Sequence, residues 1–278
     1  TPRAPAGVHL QPDAHRYPMT NATRHPAPWN RKALAAAADR LVQVLGERPV
    51  SVCDPYAGVG RVHELRDRGF VTVGGEREPE WAAMSEHTIV ADALHFPASD
   101  AAFDAVVCSP TWGNRAADAH EARDACGRCG GEGHIERLAT PKEVDAGHEL
   151  GIAFDQCPNC RGSGLSRRNT YRHSLGRMPS QGTSSTMQFG SAYCRFHRDW
   201  LVEAMRIVRP GGLVIVNVGN PIRKGAEVDV VGWWLGAVYG EGLRVRAVDW
   251  IPAAKLRVGA NRDLRVEGEV NIVAQVPV

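Results

Sequence analysis

Asp54-Pro55-Tyr56-Ala57-Gly58-Val59-Gly60 stands between a short apolar run, Val50-Ser51-Val52-Cys53, and a helical pattern around Val62 to Asp67. Glycines in a strand-to-helix turn let the backbone approach a ligand closely, and the helix start offers free N–H groups. Such a turn is also made simply to reverse the chain, so the neighbouring strand ends carry the reading. The next apolar strand, Val71-Thr72-Val73-Gly74-Gly75, ends at Glu76, where a doubly wound fold keeps an acid for ribose hydroxyls. After a third strand, Thr88 to Val90, Asp92-Ala93-Leu94 brings an acid and backbone amides to where an adenine ring would lie. Each acid alone would serve equally as a helix cap or a solvated loop charge. Acids at successive strand ends point instead to an adenosine-bearing cofactor.

Outward from this region the chain alternates strand and helix. Leu34, Ala38, Leu41, Val42 and Leu45 recur at helical spacing between Arg31 and Leu45, and Pro49 ends that helix. A helix near Trp81 precedes the strand at Thr88, and a longer strand covers Ala105 to Cys108. Regularity resumes with a helix at Phe196 to Val208, the turn Arg209-Pro210-Gly211-Gly212 and the apolar strand Leu213 to Val218. A helix around Val228 to Tyr239 and strands near Leu243 to Trp250 and Val270 to Val276 follow. The expectation is an α/β fold, a mainly parallel doubly wound sheet with helices on both faces. Residues 115–190 are rich in Gly, Arg, Ser and Cys with little periodicity, so they read as an insertion. The catalytic domain is then residues 1–114 and 191–278, and Thr1 to about Asn30 form an arm rich in Pro and His.

The bulk numbers agree with an ordinary globular chain. The chain has 278 residues, 43% hydrophobic and 23% charged, with a formal net charge of +2. That balance supports a packed core, while the small net charge by itself argues for no polyanionic partner. No apolar run approaches the roughly 20 residues needed to span a bilayer, and no signal-peptide pattern opens the sequence. The reading is a cytoplasmic protein, of a bacterium or a phage-infected cell, without a membrane partner. In that compartment the seven cysteines serve as metal ligands or buried thiols rather than disulfides.

Cys126-Gly127-Arg128-Cys129-Gly130-Gly131-Glu132-Gly133 and Cys157-Pro158-Asn159-Cys160-Arg161-Gly162-Ser163-Gly164 share one pattern, Cys-x-x-Cys-x-Gly-x-Gly. Cys126, Cys129, Cys157 and Cys160 supply a tetrahedral thiolate set, and the glycines free backbone N–H groups to turn toward sulfur. One structural Zn²⁺ is the natural occupant, holding together a polar insertion that cannot build its own core. The two runs resemble the zinc knuckles of the DnaJ chaperone family, which implies metal binding and nothing about chaperone activity. Cys53, Cys108 and Cys194 lie in or beside apolar segments and read as buried thiols.

Further motifs extend the comparison beyond the cofactor loop. Val73-Gly74-Gly75-Glu76-Arg77-Glu78-Pro79-Glu80-Trp81, Phe103-Asp104-Ala105-Val106-Val107-Cys108-Ser109-Pro110, Arg209-Pro210-Gly211-Gly212 and His25-Pro26-Ala27 occur in a consistent order. Together with Asp54 to Gly60 they resemble the class I S-adenosylmethionine-dependent methyltransferases, in particular the DNA amino-methyltransferases of phage and bacterial type. The resemblance implies a Rossmann-like methyltransferase fold and S-adenosyl-L-methionine as cofactor. It places Asp54, Tyr56, Gly58, Gly60, Glu76, Asp92 and Ala93 around that cofactor, with His25 and Pro26 at its methionine end.

Ser109-Pro110-Thr111-Trp112 matches the group's catalytic motif except at Thr111, where a second Pro is usual. An exocyclic base amine is a poor nucleophile because its lone pair is conjugated into the ring. The resemblance implies that Ser109 Oγ and the Pro110 carbonyl accept hydrogen bonds from the amine, and that Trp112 stacks on the flipped base. Ser at position 109 favours cytosine N4 in DNA; adenine N6, an RNA amine, or a catalytically silent zinc-containing binder are the alternatives. Arg167, Arg168, Arg172 and Arg177 follow the second knuckle and read either as a solvated face or as phosphate contacts to DNA.

Overall fold

The computed structural model describes residues 29–113, 126, 128–140, 152–158, 160, 162, 175, 177, 179–223, 225–252 and 268–278. Helix α1 (Arg31–Leu45) starts where the Asn30 side chain accepts a hydrogen bond from Lys32 N at 3.0 Å, and it ends at Gly46 with φ 82°. Its buried stripe is Ala33, Leu34, Ala37, Ala38 and Leu41. Then come β1 (Ser51–Asp54), a 3-10 segment at Arg61–Arg68, β2 (Val71–Glu76), α2 (Pro79–Ala82), β3 (Thr88–Val90) and β4 (Phe103–Cys108). A hairpin of β5 (His134–Leu138) and β6 (Ile152–Gln156) is followed by α3 (Ser191–Ile207) and β7 (Val208–Val218). Short strands β8 (Ile222–Arg223) and β9 (Ala226–Glu227), α4 (Val230–Gly240), β10 (Arg244–Pro252) and β11 (Gly268–Gln275) complete the order.

Seven strands form one sheet in the order β10-β11-β7-β4-β1-β2-β3. All neighbours pair in parallel except β11, which runs antiparallel to both β7 and β10. This is the Rossmann-like, mostly parallel sheet that the alternation of elements predicts. Strand order reverses between β1 and β4, and in such sheets the crevice beyond the carboxyl ends at that point receives ligands.

The two faces of the sheet carry separate cores. Val52, Ala105, Val107, Leu213, Ile215 and Val273 pack with α1 on one side. Val106, Val214, Val216 and Ile272 pack on the other with Trp200, Leu201 and Ala204 of α3 and with Trp234 of α4. Burial on both faces explains why Leu213 to Val218 reads as an unbroken apolar run instead of an alternating one. Among the described residues, no helix is long and apolar enough to cross a membrane.

Several boundaries differ from the sequence reading. The turn at Arg209–Gly212 is an irregularity inside β7: Phe103 pairs with Val208, yet Ala105 pairs with Leu213. Gly211 at φ 74° supports this excursion, whose extra residues sit opposite Asp104. The helix expected at Val62 to Asp67 is a 3-10 segment. Residues 115–190, which show little periodicity in the sequence, contain the β5–β6 hairpin, paired from His134–Gln156 to Leu138–Ile152. Its burial pattern has no clean apolar alternation, which hides it from periodicity. Gly113 O accepts from Phe189 N at 2.7 Å, so the two ends of the insertion meet at the edge of the sheet domain.

Candidate active site and metal cluster

β1 delivers Asp54 to the carboxyl edge of the sheet. The side chain is buried, and its Oδ1 accepts from Tyr56 N at 2.9 Å, which curls the chain into the glycine turn. Gly58 and Gly60 take φ of 55° and 81°, a region costly for residues with a Cβ. A Cβ at Gly74 would lie 2.8 Å from Ala57, so the bare backbone of β2 lets the turn fold close. Glu76, at the end of β2, accepts from Gly58 N at 3.0 Å and from Glu78 N at 2.8 Å. The Tyr56 ring turns inward, 5.5 Å from the Trp200 ring, with its hydroxyl 3.5 Å from His197 Nδ1. Tyr56 therefore anchors the loop in the core.

Both acids are held away from their ordinary protonation range. Burial pushes the Asp54 carboxyl up to about 8, aided by the nearby Glu76 charge and opposed by the Tyr56 N–H. Burial likewise raises Glu76 to about 7, aided by the Glu78 charge and opposed by N–H donors from Glu78 and Gly58. Carboxyls raised by desolvation gain from further hydrogen-bond donors. The hydroxyls and amine of an adenosyl amino acid are donors of this kind, so the residues fit the cofactor. Asp92 is partly buried, accepts from Leu94 N at 3.0 Å and pairs with Arg77 at 3.2 Å; Ala93 beside it is buried. His25 and Pro26 lie outside the described residues.

Across the strand-order reversal, β4 delivers Ser109. Its hydroxyl lies 3.2 Å from Asn217 Oδ1 on β7. Asn217 Nδ2 donates to Asn271 Oδ1 at 3.1 Å, and Asn271 Nδ2 donates to Ala33 O at 2.8 Å; both asparagines are fully buried. The polarity of this chain is fixed from its far end, because a backbone carbonyl only accepts. Asn271 must present its oxygen to Asn217, Asn217 must present its oxygen to Ser109, and Ser109 must donate. The lone pairs of Ser109 Oγ are thereby left for a donor in the crevice. Asn217 and Asn271 were missed from sequence, although an Asn inside Leu213–Val218 and another inside Val270–Val276 were visible anomalies.

Thr111 does not leave the loop slack. Its carbonyl accepts from Tyr193 OH at 2.9 Å, Tyr193 accepts from Trp234 Nε1 at 3.0 Å, and Thr111 Oγ1 donates to Ser184 Oγ at 3.1 Å. Pro110 is buried, and Trp112 is half-buried with its six-membered ring against Gly219. A Cβ at Gly219 would come within 3.0 Å of that ring.

The four cysteines of the knuckles converge: all Sγ atoms lie within 4.8 Å of one another and all four residues are buried. Cys126–Cys157 and Cys129–Cys160 are 3.9 and 3.7 Å apart, near the roughly 3.8 Å edge of a tetrahedron with 2.3 Å metal–sulfur bonds. Gly133 N points at Cys129 Sγ at 3.3 Å, as the glycine pattern anticipates. The donor set fits Zn²⁺.

Arg177, read from the sequence either as part of a solvated face or as a phosphate contact, is paired with acids. It bonds Glu80 through Nε at 2.9 Å and Nη2 at 2.6 Å, and reaches Glu78 at 2.7 Å. Ser180 N also donates to the buried Glu78, at 2.7 Å. The segment leaving the insertion is thus tied to the residues just after β2, with Leu175 packed on Trp81. Arg167, Arg168 and Arg172 lie outside the described residues.

No family model and no curated protein matches the chain. Among solved structures, it is similar to a putative methyltransferase of Haloferax volcanii in complex with the Trm112 methyltransferase activator. That pair has 13% identity and a TM-score of 0.47, covering 89% of this chain and 91% of that one. A putative methyltransferase of Bacillus halodurans has 12% identity and a TM-score of 0.46, covering 87% and 100%. The 1,6-didemethyltoxoflavin-N1-methyltransferase of Burkholderia thailandensis, with S-adenosylhomocysteine bound, has 12% identity and a TM-score of 0.44, covering 88% and 79%. These likenesses assign no residue a role.

Proposed function

We propose that this protein transfers a methyl group from S-adenosyl-L-methionine to an exocyclic base amine in DNA, with cytosine N4 favoured. The observation that carries the reading is the forced direction of the Ser109 hydrogen bond. A serine whose proton is committed to Asn217 keeps its lone pairs for a donor, and it follows β4, one strand from Asp54 on β1 and two strands from Glu76 on β2. An acceptor is what a conjugated amine needs if its lone pair is to leave the ring.

The cofactor supplies an electrophilic methyl group on a sulfonium. Asp54, Glu76, Asp92 and the amides of the glycine turn would hold it at the carboxyl edge. Ser109 Oγ and the Pro110 carbonyl accept hydrogen bonds from the amine, favouring a pyramidal nitrogen as the N–C bond forms and the S–C bond breaks, after which the thioether leaves and the surplus amine proton passes to solvent. Trp112 offers a flat face for the extruded base, and the hydrogen bonds at Thr111 keep that loop stiff. The cysteine cluster would hold one structural zinc, and Arg167, Arg168 and Arg172 are candidates for phosphate contacts.

The test is nucleoside mass spectrometry of DNA and RNA incubated with protein and cofactor. N4-methyldeoxycytidine is expected; N6-methyladenine in either polymer would move the target, and no transfer to any polynucleotide would refute the assignment. Trp112→Ala should lower transfer about tenfold or more with cofactor affinity unchanged, since base–aromatic stacking is worth about 1–3 kcal/mol.

A further inference from the structure

Beside the proposed amine site lies a cavity of about 320 Å³, lined by Gly219, Asn220, Glu227, Trp250, Gly268 and Glu269 among others. This lies at the lower end of small-ligand pockets, which run from roughly 300 to 1,000 Å³. Two indoles border its glycines. Trp112 lies against Gly219, and a Cβ at Gly268 would come within 2.6 Å of the Trp250 ring. Cys108 ends β4 opposite Val216 of β7, Ser109 follows it, and the cavity opens just past the end of β7, at Gly219 and Asn220.

Two acids line the cavity, and they differ in their hydrogen bonds. Glu227 takes a hydrogen bond from Asn220 Nδ2 at 2.6 Å. Glu269 is 5% exposed, and its Oε1 has no hydrogen-bond partner among the described residues. A buried carboxyl oxygen left without a partner is costly and uncommon in folded proteins. The Asn30 and Asn217 side chains face the Glu269 carboxyl and hold its pKa down, but burial outweighs them and pushes it up. Asn217 thus neighbours both residues, touching Ser109 through Oδ1 and facing the Glu269 carboxyl.

We infer that this cavity seats the substrate ring and that Glu269, as a neutral acid, donates a hydrogen bond to the ring nitrogen adjoining the amine. The inference rests on the amino-methyltransferase reading of Ser109. The ligand class is a flat heterocycle with an amidine-like edge, an amine on the carbon of a ring C=N bond, which cytosine and adenine share. On that edge the amine hydrogens go to Ser109 and the Pro110 carbonyl, leaving the ring nitrogen as an acceptor that needs a donor. The Glu269 hydroxyl supplies it, and the orphaned oxygen gains a partner.

The experiment is binding without turnover. The full chain, loaded with S-adenosylhomocysteine, is titrated with 2′-deoxycytidine and with its 3-deaza analogue, in which C–H replaces the ring nitrogen. Tryptophan fluorescence reports occupancy, since Trp250 lines the cavity. Wild-type protein should bind deoxycytidine about tenfold more tightly than the analogue. Glu269→Gln, which keeps an N–H donor, should retain most of that ratio, and Glu269→Ala should bring it near one. Equal binding of the two nucleosides by wild type, no saturable binding of deoxycytidine, or a ratio that survives Glu269→Ala would overturn the assignment. Methyl transfer by Ser109→Ala is measured alongside. Unchanged transfer there would overturn the Ser109 reading, whereas the nucleoside ratio bears on Glu269 whatever that result.

Discussion

Replacing Asn217 by Leu keeps the size of the side chain and removes both ends of its amide. Ser109 is half-buried and can exchange its lost acceptor for water at little cost. Asn271 is fully buried and cannot: its Oδ1 loses the 3.1 Å donor and stays dry. An unsatisfied buried acceptor costs about 1–3 kcal/mol. At roughly 2–4 °C per kcal/mol for a domain of this size, Tm should fall by roughly 2–12 °C. Changing Asn271 to Leu as well removes the stranded oxygen. Ala33 lies near the start of α1, so its carbonyl keeps a helical partner. The double variant should therefore recover part of the lost stability, the Glu269 carboxyl still lacking the Asn217 amide. Turnover should not recover, because Ser109 still lacks the group that fixes its proton; kcat should stay about tenfold down in both variants, with KM for the cofactor unchanged. The assays are thermal unfolding by circular dichroism and methyl transfer under saturating cofactor. If kcat returns with stability in the double variant, the asparagine chain is only a packing device and the orientation of Ser109 has another cause.

The cysteine cluster predicts one zinc per chain by elemental analysis, lost in Cys126→Ser or Cys157→Ser while far-UV circular dichroism of the sheet domain is retained. Zero or two equivalents in reduced wild-type protein would contradict the single tetrahedral site. The raised carboxyls predict a pH trend in cofactor-free protein. Asp54 titrates near 8 when folded against 3.8 as a free side chain, and Glu76 near 7 against 4.5, so the folded state binds more protons between these limits. Stability should then fall as pH rises from about 4 to about 8 and level off above. Urea midpoints at pH 5 and pH 8 measure this, and an equal loss in Asp54→Asn would show that Asp54 is not its source.

The parts of the site legible in the sequence share one property: they are local. The turn from Asp54 to Gly60, the acid at Glu76 and the paired cysteines each occupy a few consecutive residues whose spacing is dictated by backbone geometry or ligand count. The four-cysteine cluster is the clearest case, since sulfurs 31 residues apart in the two knuckles come within 3.9 Å of each other. Arg177 illustrates the limit of that reasoning. Its place in a basic run left open a solvated face or a phosphate contact, while its partners Glu78 and Glu80 lie about a hundred residues upstream.

From the sequence alone came the alternation of strands and helices, the acids at successive strand ends, the Ser-Pro-Thr-Trp segment after β4 and the cysteine pattern. These follow from periodicity and short spacing, which the chain carries along its own length. Only the tertiary structure paired β11 antiparallel to β7, and that pairing sets Asn271 beside Asn217. Only there does the direction of the Ser109 hydrogen bond become determined, passed from the Ala33 carbonyl across two strands. The same pairing brings Glu269 against Asn217 and buries it without a full set of partners. Hydrogen-bond polarity and desolvation depend on which groups surround an atom in three dimensions, and for these residues the surroundings come from segments up to 238 positions apart.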